Sequence, residues 1–354
     1  MLENIIRNIL PFAWAFLISV FAIPSIISVA HKKHLLDEPN DRTVHELLTP
    51  RLGGLAIFAG FISAITIFGK VDYGIQHLVA GSVVIFFIGL KDDIVSVSAV
   101  KKFMVQILAT GIIMFMADIR ITSLQGIFGI YSIEAGISYM LTFIVIIGIT
   151  NAINLIDGLD GLAGSIVSVC CFSFGIYFIT AEDKYTFVYS YVAFSLVGSI
   201  LGFLRYNMYK AKIFMGDTGS LVCGFIVSVM AIKFVEVKLI PNAPTVSIAI
   251  LFIPILDTIR VFILRIFAGK SPFTPDKNHI HHRLMDIGFT QLSTVLILVL
   301  INVLAIGLVV YFQYLSLTLQ IMLLFLYALL FSIIIEVCTG LKKISATRNA
   351  KVNV

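Results

Sequence analysis

Four short segments hold most of the side chains in this sequence that can do chemistry. Lys91-Asp92-Asp93 places two carboxylates side by side where an apolar run ends. Such a pair repels unless a cation, a lysine or a proton separates it, so it can bind a metal or supply a base. The run Asn151-Ala-Ile-Asn154-Leu-Ile-Asp157-Gly-Leu-Asp160-Gly161 puts an amide or carboxylate at every third position. On a helix Asn151 and Asn154 share a face, and the Asp-Gly steps break the helix near Gly158 so that Asp157 and Asp160 turn toward a common pocket. A capped turn accounts for the Asp-Gly steps but leaves the asparagines unexplained.

Phe214-Met-Gly216-Asp217-Thr218-Gly219-Ser220 opens a later apolar run. Free backbone N–H groups and the positive end of a helix dipole favour phosphate there. Asp217 in a glycine-flanked turn suits Mg²⁺, which takes one or two carboxylates and completes its shell with phosphate and water. Taken alone, the segment reads equally as a helix N-cap. The fourth segment, Asp276-Lys277-Asn278-His279-Ile-His281-His282-Arg283, is rich in donors. It lacks the cysteine or further ligands at zinc spacing, so a cluster that holds a pyrophosphate fits better.

The elements that must position these groups are membrane-spanning helices. Of 354 residues 59% are hydrophobic and only 13% charged, with a mean hydropathy of +1.03, which excludes a soluble enzyme. The apolar residues fall in blocks of about 17 to 24, the length that crosses a hydrocarbon core of roughly 30 Å as a helix. Continuous runs such as 141–149 show no alternation, which argues against a β-barrel. The expected fold is therefore an all-α polytopic membrane protein, one domain over 1–354 with a basic tail at 341–354. Its eleven spans lie near 10–30, 52–69, 76–90, 103–119, 136–156, 162–180, 185–204, 218–235, 245–268, 291–312 and 317–340. The first block has no cleavage site, so it reads as a retained helix. The four cysteines all fall within apolar blocks, which argues against a metal cluster or disulfides.

Six basic residues, Arg7, Lys70, Arg120, Lys184, Lys233 and Lys238, fall on one side of this topology, and the other 19 of the 25 fall on the opposite side. The positive-inside rule makes that richer side cytoplasmic, with the N-terminus outside and the C-terminus inside. All four polar segments lie on it. The net charge of +5 then reflects topology and calls for no nucleic-acid partner.

Together, in this order, the four segments resemble the polyprenyl-phosphate N-acetylhexosamine-1-phosphate transferases, the family of MraY, WecA and TagO, also called glycosyltransferase family 4. The resemblance runs from about Asp37 to Arg283. Thr-Pro50-Arg51-Leu-Gly53-Gly54, preceded by Arg42 and His45, and the His279-Ile-His281-His282-Arg283 loop look like the WecA and TagO branch. The resemblance implies a bacterial inner (cytoplasmic) membrane enzyme that joins undecaprenyl phosphate to a sugar-1-phosphate from a UDP-N-acetylhexosamine, UDP-GlcNAc first among them, releasing UMP. It implies Mg²⁺, with Mn²⁺ as a substitute, and a homodimer as the common assembly. Carried over, Asp217 and Asn154 are metal ligands, Asp92 deprotonates or orients the lipid phosphate, and Asp93 supports it. Arg51 and Lys102 bind substrate, Lys102 through phosphate. Asn151, Asp157, Asp160 and Phe214 take the nucleoside, Phe214 by stacking on uracil, and His279, His281, His282 and Arg283 hold the pyrophosphate and sugar.

The ninth span carries Asp257, Arg260 and Arg265, costly inside a straight membrane helix. A break near Asp257, followed by an interfacial segment to Gly269 and an Asp257–Arg260 pair, avoids that cost, and the family resemblance implies such a broken helix. A transporter is the main competing class, but its polar groups belong at the midplane, with matched interruptions in two halves.

Overall fold

The computed structural model describes residues 2–36, 48–69, 74–271 and 278–352, with side chains through Lys342. Arg42, His45, Asp276 and Lys277 lie outside the described residues. The elements, in chain order, are α1 (Leu2–Lys32), α2 (Gly53–Phe68), α3 (Ile75–Ile94), α4 (Ala99–Gly111, prolonged by a π-helical turn at Ile112–Met116), strands β1 (Ser123–Ile127) and β2 (Ile130–Ser132), α5 (Ala135–Ile156), α6 (Leu162–Ile179), α7 (Lys184–Asn207), α8 (Gly216–Val237), α9 (Ala243–Ile250), α10 (Phe252–Phe267), α11 (Ile280–Ile287), α12 (Gln291–Tyr311) and α13 (Leu317–Val352).

Among the described residues, nine helices are long and apolar enough to cross a membrane, and α9 with α10 makes a tenth span, bent by 72°. The eleventh expected segment is α2, whose 16 residues make about 24 Å of helix, somewhat short of a full span. The chain is thus a polytopic, multi-pass membrane protein. Among the described residues, an antiparallel hairpin β1–β2, paired Ser123 to Ser132 and Ile127 to Ile130, departs from the all-helical plan. The last helix, α13, runs on through the basic segment to Val352.

Burial is graded from centre to rim. Along α8, residues from Thr218 to Ile232 are buried, whereas α1 and α13 expose rows such as Leu17, Phe21, Phe325 and Leu329. The centre closes through small residues, since backbones can approach only where no Cβ intervenes. A Cβ on Gly54 of α2 would overlap the Gly219 backbone nitrogen of α8, and one on Gly89 of α3 would stand 2.6 Å from Thr218 Cα. Three cysteines are buried and all four are free thiols.

The ninth span breaks at Leu251, six residues before the expected position. The cause is Pro254. It has no N–H to offer the Ile250 carbonyl one turn earlier, and its ring would collide with that carbonyl in a continuous helix. Asp257, Arg260 and Arg265 then sit on the protein-facing side of α10 at 2%, 7% and 4% exposure, while Ile259, Ile263 and Phe267 face outward. The charged residues are therefore buried against the protein. The Asp257–Arg260 pair is replaced by longer-range partners: Asp257 accepts from His279, and Arg260 pairs with Glu336 of α13.

Because α2 and α8 meet backbone to backbone, Gly54→Ala is expected to destabilise the protein by about 1–3 kcal/mol. The check is a lowered thermal midpoint in detergent, and an unchanged midpoint would mean that the contact is looser than it looks.

Candidate active site

The polar segments meet at one end of the bundle, where α3 and α5 finish and α2, α4, α8 and α11 begin. At its centre the Lys102 ammonium lies 2.8 Å from Asp217 Oδ2 and 3.2 Å from Asp92 Oδ2. It is a half-buried cation between two carboxylates that would otherwise repel. The other Asp92 oxygen accepts from the Val97 amide at 2.7 Å. Asn154 donates from Nδ2 to Asp217 Oδ1 at 3.2 Å and to Ser220 Oγ at 2.8 Å. Asp92, Asp217, Asn154 and Lys102 are thus one connected group, drawn from four different helices.

Asp93 sits beside this group but its oxygens are taken up differently. Oδ1 accepts from the Asp217 amide at 2.7 Å, and Oδ2 accepts from the Thr218 amide at 3.0 Å and from the Thr218 hydroxyl. These are free N–H groups in the first turn of α8, which has no capping side chain of its own. Asp93 is therefore a cap supplied from another helix, its two oxygens set as acceptors at the positive end of the dipole. That engagement makes it the group that fixes Asp217, and Asp92 the carboxylate turned to Lys102.

Asn151 does not join this group directly. Its amide exchanges hydrogen bonds with Gln106 of α4, at 2.8 and 3.3 Å. Gln106 is buried and had no signal in the sequence beyond being polar within an apolar run. Asp160 accepts from the Ala211 amide at 3.1 Å, tying the turn after α5 to the loop before α8. Asn207 strengthens that tie by accepting from Gly161 N and donating to Ile213 O. Phe214 is held through its backbone: its amide donates to Pro50 O and its carbonyl accepts from Gly53 N, both at 2.8 Å. This pairing lays the Pro50–Gly54 segment, with exposed Arg51, along the entrance to α8. Asp157 lies just past α5, and burial pushes its carboxyl well above the usual range; the nearby Asp217 and Asp93 add to this and Arg51 opposes it.

The histidine loop closes the remaining side. Asp257 Oδ2 lies 2.7 Å from His279 Nδ1, and Oδ1 accepts from the Ile280 amide at 2.7 Å, so one α10 carboxylate holds a histidine and the first amide of α11. The ring of His281 lies between His279 and His282, with centroids 5.8 and 4.3 Å away. Burial, helped by His282, holds the His281 imidazole down to about 3, so it is neutral near pH 7. Its Nε2 has no hydrogen-bond partner among the described residues and would stand 2.9 Å from a Cβ on Gly158. Glycine at 158 is what lets this loop seat on the Asp-Gly turn. Arg283 donates to Asn278 Oδ1 at 2.6 Å, and Arg260 donates to the Asn278 carbonyl at 2.7 Å.

The donor set suits a hard cation. Two carboxylates and an amide converge, a protein ammonium already lies between those carboxylates, and among the described residues no group of three His, Cys, Asp or Glu side chains forms a metal cage. That pattern fits an ion that keeps waters and substrate oxygens, such as Mg²⁺, better than zinc.

Fold and site together define a multi-pass membrane protein with an acidic, histidine-flanked site at one end of its bundle. The profile of glycosyl transferase family 4 matches residues 75–235. A Bacillus subtilis protein named as a probable undecaprenyl-phosphate N-acetylglucosaminyl 1-phosphate transferase is 33% identical over 302 residues, 85% of this chain and 83% of that relative. A Mycobacterium tuberculosis decaprenyl-phosphate N-acetylglucosaminephosphotransferase is 31% identical over 322 residues, 83% of this chain and 80% of its own. The undecaprenyl-phosphate alpha-N-acetylglucosaminyl 1-phosphate transferase of Escherichia coli K12 is 32% identical over 288 residues, 78% and 77% of the two chains. The chain belongs to glycosyl transferase family 4.

If Asp93 is the cap of α8, Asp93→Ala should lower stability by about 2 kcal/mol, and Asp93→Asn, which keeps an acceptor, by less. Thermal unfolding in detergent separates the two. Equal midpoints for wild type and both variants would show that the cap carries no weight.

Proposed function

We propose that this protein transfers GlcNAc-1-phosphate from UDP-GlcNAc to undecaprenyl phosphate, giving undecaprenyl-pyrophosphoryl-GlcNAc and UMP. The observation that carries this reading is the meeting of Asp92, Asn154, Lys102 and Asp217 opposite the histidine loop. The relatives' names point to the same acceptor class and sugar. An oxygen of the lipid phosphate attacks the β-phosphorus of the nucleotide sugar, the α–β bridge bond breaks, and UMP leaves with the bridging oxygen. Bound Mg²⁺ would supply charge neutralisation on the diphosphate and the leaving phosphate.

The chain's own groups do the rest. Asp217 and Asn154 would hold the cation, and Asp93 keeps Asp217 at the start of α8. Asp92 accepts a proton from the lipid phosphate or orients it, and Lys102 leaves its carboxylates to contact phosphate. Asn151, Asp157, Asp160 and Phe214 line the nucleoside side. Arg51, His279, His281, His282 and Arg283 take the diphosphate and sugar, His281 as a neutral hydrogen-bonding group. The side bearing 19 basic residues faces the cytoplasm, where a nucleotide sugar is available, with the N-terminus outside and the C-terminus inside.

Purified protein with Mg²⁺, undecaprenyl phosphate and labelled UDP-GlcNAc should form a lipid-linked product and UMP. Failure with every member of a UDP-N-acetylhexosamine panel would sink the proposal, and turnover with another member alone would change the sugar. Asp217→Asn should lower turnover by about a hundredfold to a thousandfold or more; near-normal activity at ordinary Mg²⁺ would move the cation elsewhere. Asp92→Asn should leave nucleotide binding nearly intact and remove catalysis, a split that calorimetry and product assays read directly. Loss of nucleotide binding in that variant would contradict the role given to Asp92.

A further inference from the structure

The break in the ninth span exposes two backbone groups that a continuous helix would have paired, and a side chain from another helix answers both. Pro254 leaves the Ile250 carbonyl without its ordinary donor. Asn302, near the middle of α12 and fully buried, donates from Nδ2 to Ile250 O at 3.0 Å and accepts on Oδ1 from Ile253 N at 3.0 Å. The Cys170 thiol donates to the same carbonyl at 3.1 Å. A primary amide has one donor end and one acceptor end at the spacing of a peptide group, so Asn302 stands in for the missing turn at a fixed bend. In a region without water, unpaired backbone groups cost several kcal/mol each. The bend and this amide therefore require one another.

What the bend aims is the site. Three residues past Pro254, α10 presents Asp257, which holds His279 and the Ile280 amide, and one turn on it presents Arg260, which holds the Asn278 carbonyl. Those contacts seat His281 against Gly158. We infer that Asn302 is a positioning residue for the reaction: by fixing the bend at Leu251 it places α10, and through Asp257 and Arg260 the histidine loop, over the Asp157-Gly158 turn. The catalytic part of this inference rests on the donor-binding role proposed for that loop, and the geometric part does not.

Two readouts test it on the full-length protein. With spin labels at lipid-exposed Ile144 of α5 and Ile266 of α10, in a Cys338→Ser background, wild type should give a narrow distance distribution. Asn302→Leu should broaden or displace it, and Asn302→Asp, a neutral acid in this apolar setting with one donor and one acceptor, should restore it. In turnover assays Asn302→Leu should raise the KM for UDP-GlcNAc by about tenfold to a hundredfold, with Asn302→Asp near wild type. A purely structural role would reduce the active fraction and the thermal midpoint but leave that KM unmoved. An unchanged distance distribution in Asn302→Leu overturns the inference. If Asn302→Leu does not survive extraction, Asn302→Ala serves with the same expectations. Should wild type itself fail to use any nucleotide sugar, the proposed reaction falls, and the label distances still decide whether Asn302 sets the bend.

Discussion

Inside an apolar bundle a charge or an open backbone hydrogen bond has no water to turn to, and each must find a partner or be placed where the bundle ends. The arrangement of this molecule follows from that constraint. At the end of the bundle that holds the polar segments, the carboxylates are matched to N–H groups, an ammonium or a histidine. Asp93 shows the rule at close range: the first amides of α8 and a carboxylate at the end of α3 would each be unfavourable alone, and together they fix the relation of two helices. Asp257 repeats it for α11, and Asn302 for the broken span.

The same rule explains what could be read from the sequence. Apolar blocks had to be helices, since no other open structure spans a membrane, and the polar exceptions had to lie at their ends. Hence the spans, the two Asp-Gly steps and the grouping of Asp92, Asn154 and Asp217 were legible. Partners were not. Nothing local says that Asp93 caps a helix more than a hundred residues later, or that Asn151 meets Gln106. The position of the break was legible in principle, because Pro254 marks it, but the charges of Asp257, Arg260 and Arg265 drew it toward themselves. The expectation of an Asp257–Arg260 pair failed for a related reason. Pairing with His279 and Glu336 makes burial tolerable, and sequence spacing cannot reveal partners 22 and 76 positions away. The hairpin β1–β2 was missed because two strands of five and three residues leave almost no periodic signal.

The pairings also link the lipid-facing rim to the site. Glu336 of α13 holds Arg260, Arg260 holds the Asn278 carbonyl, and Asn278 Oδ1 accepts from Arg283. Arg283 therefore takes its position from a helix on the opposite side of the crevice between α10 and α13, a cavity of about 630 Å³ lined by Phe252, Leu256, Ile263, Leu324 and Phe325 among others.

Helix direction completes the electrostatics. The N-termini of α2, α4, α8 and α11 are among those that face the acidic group. Each such end carries roughly half a positive charge on its open amides, against the negative C-terminal ends of α3 and α5 that meet them here. Two of the four ends are already answered by carboxylates, α8 by Asp93 and α11 by Asp257. The starts of α2 and α4 bring Arg51 and Lys102 instead, so positive side chains there reinforce the positive dipole ends. Acidic side chains and positive helix ends are thus brought into one group by which helices enter and which leave at this end.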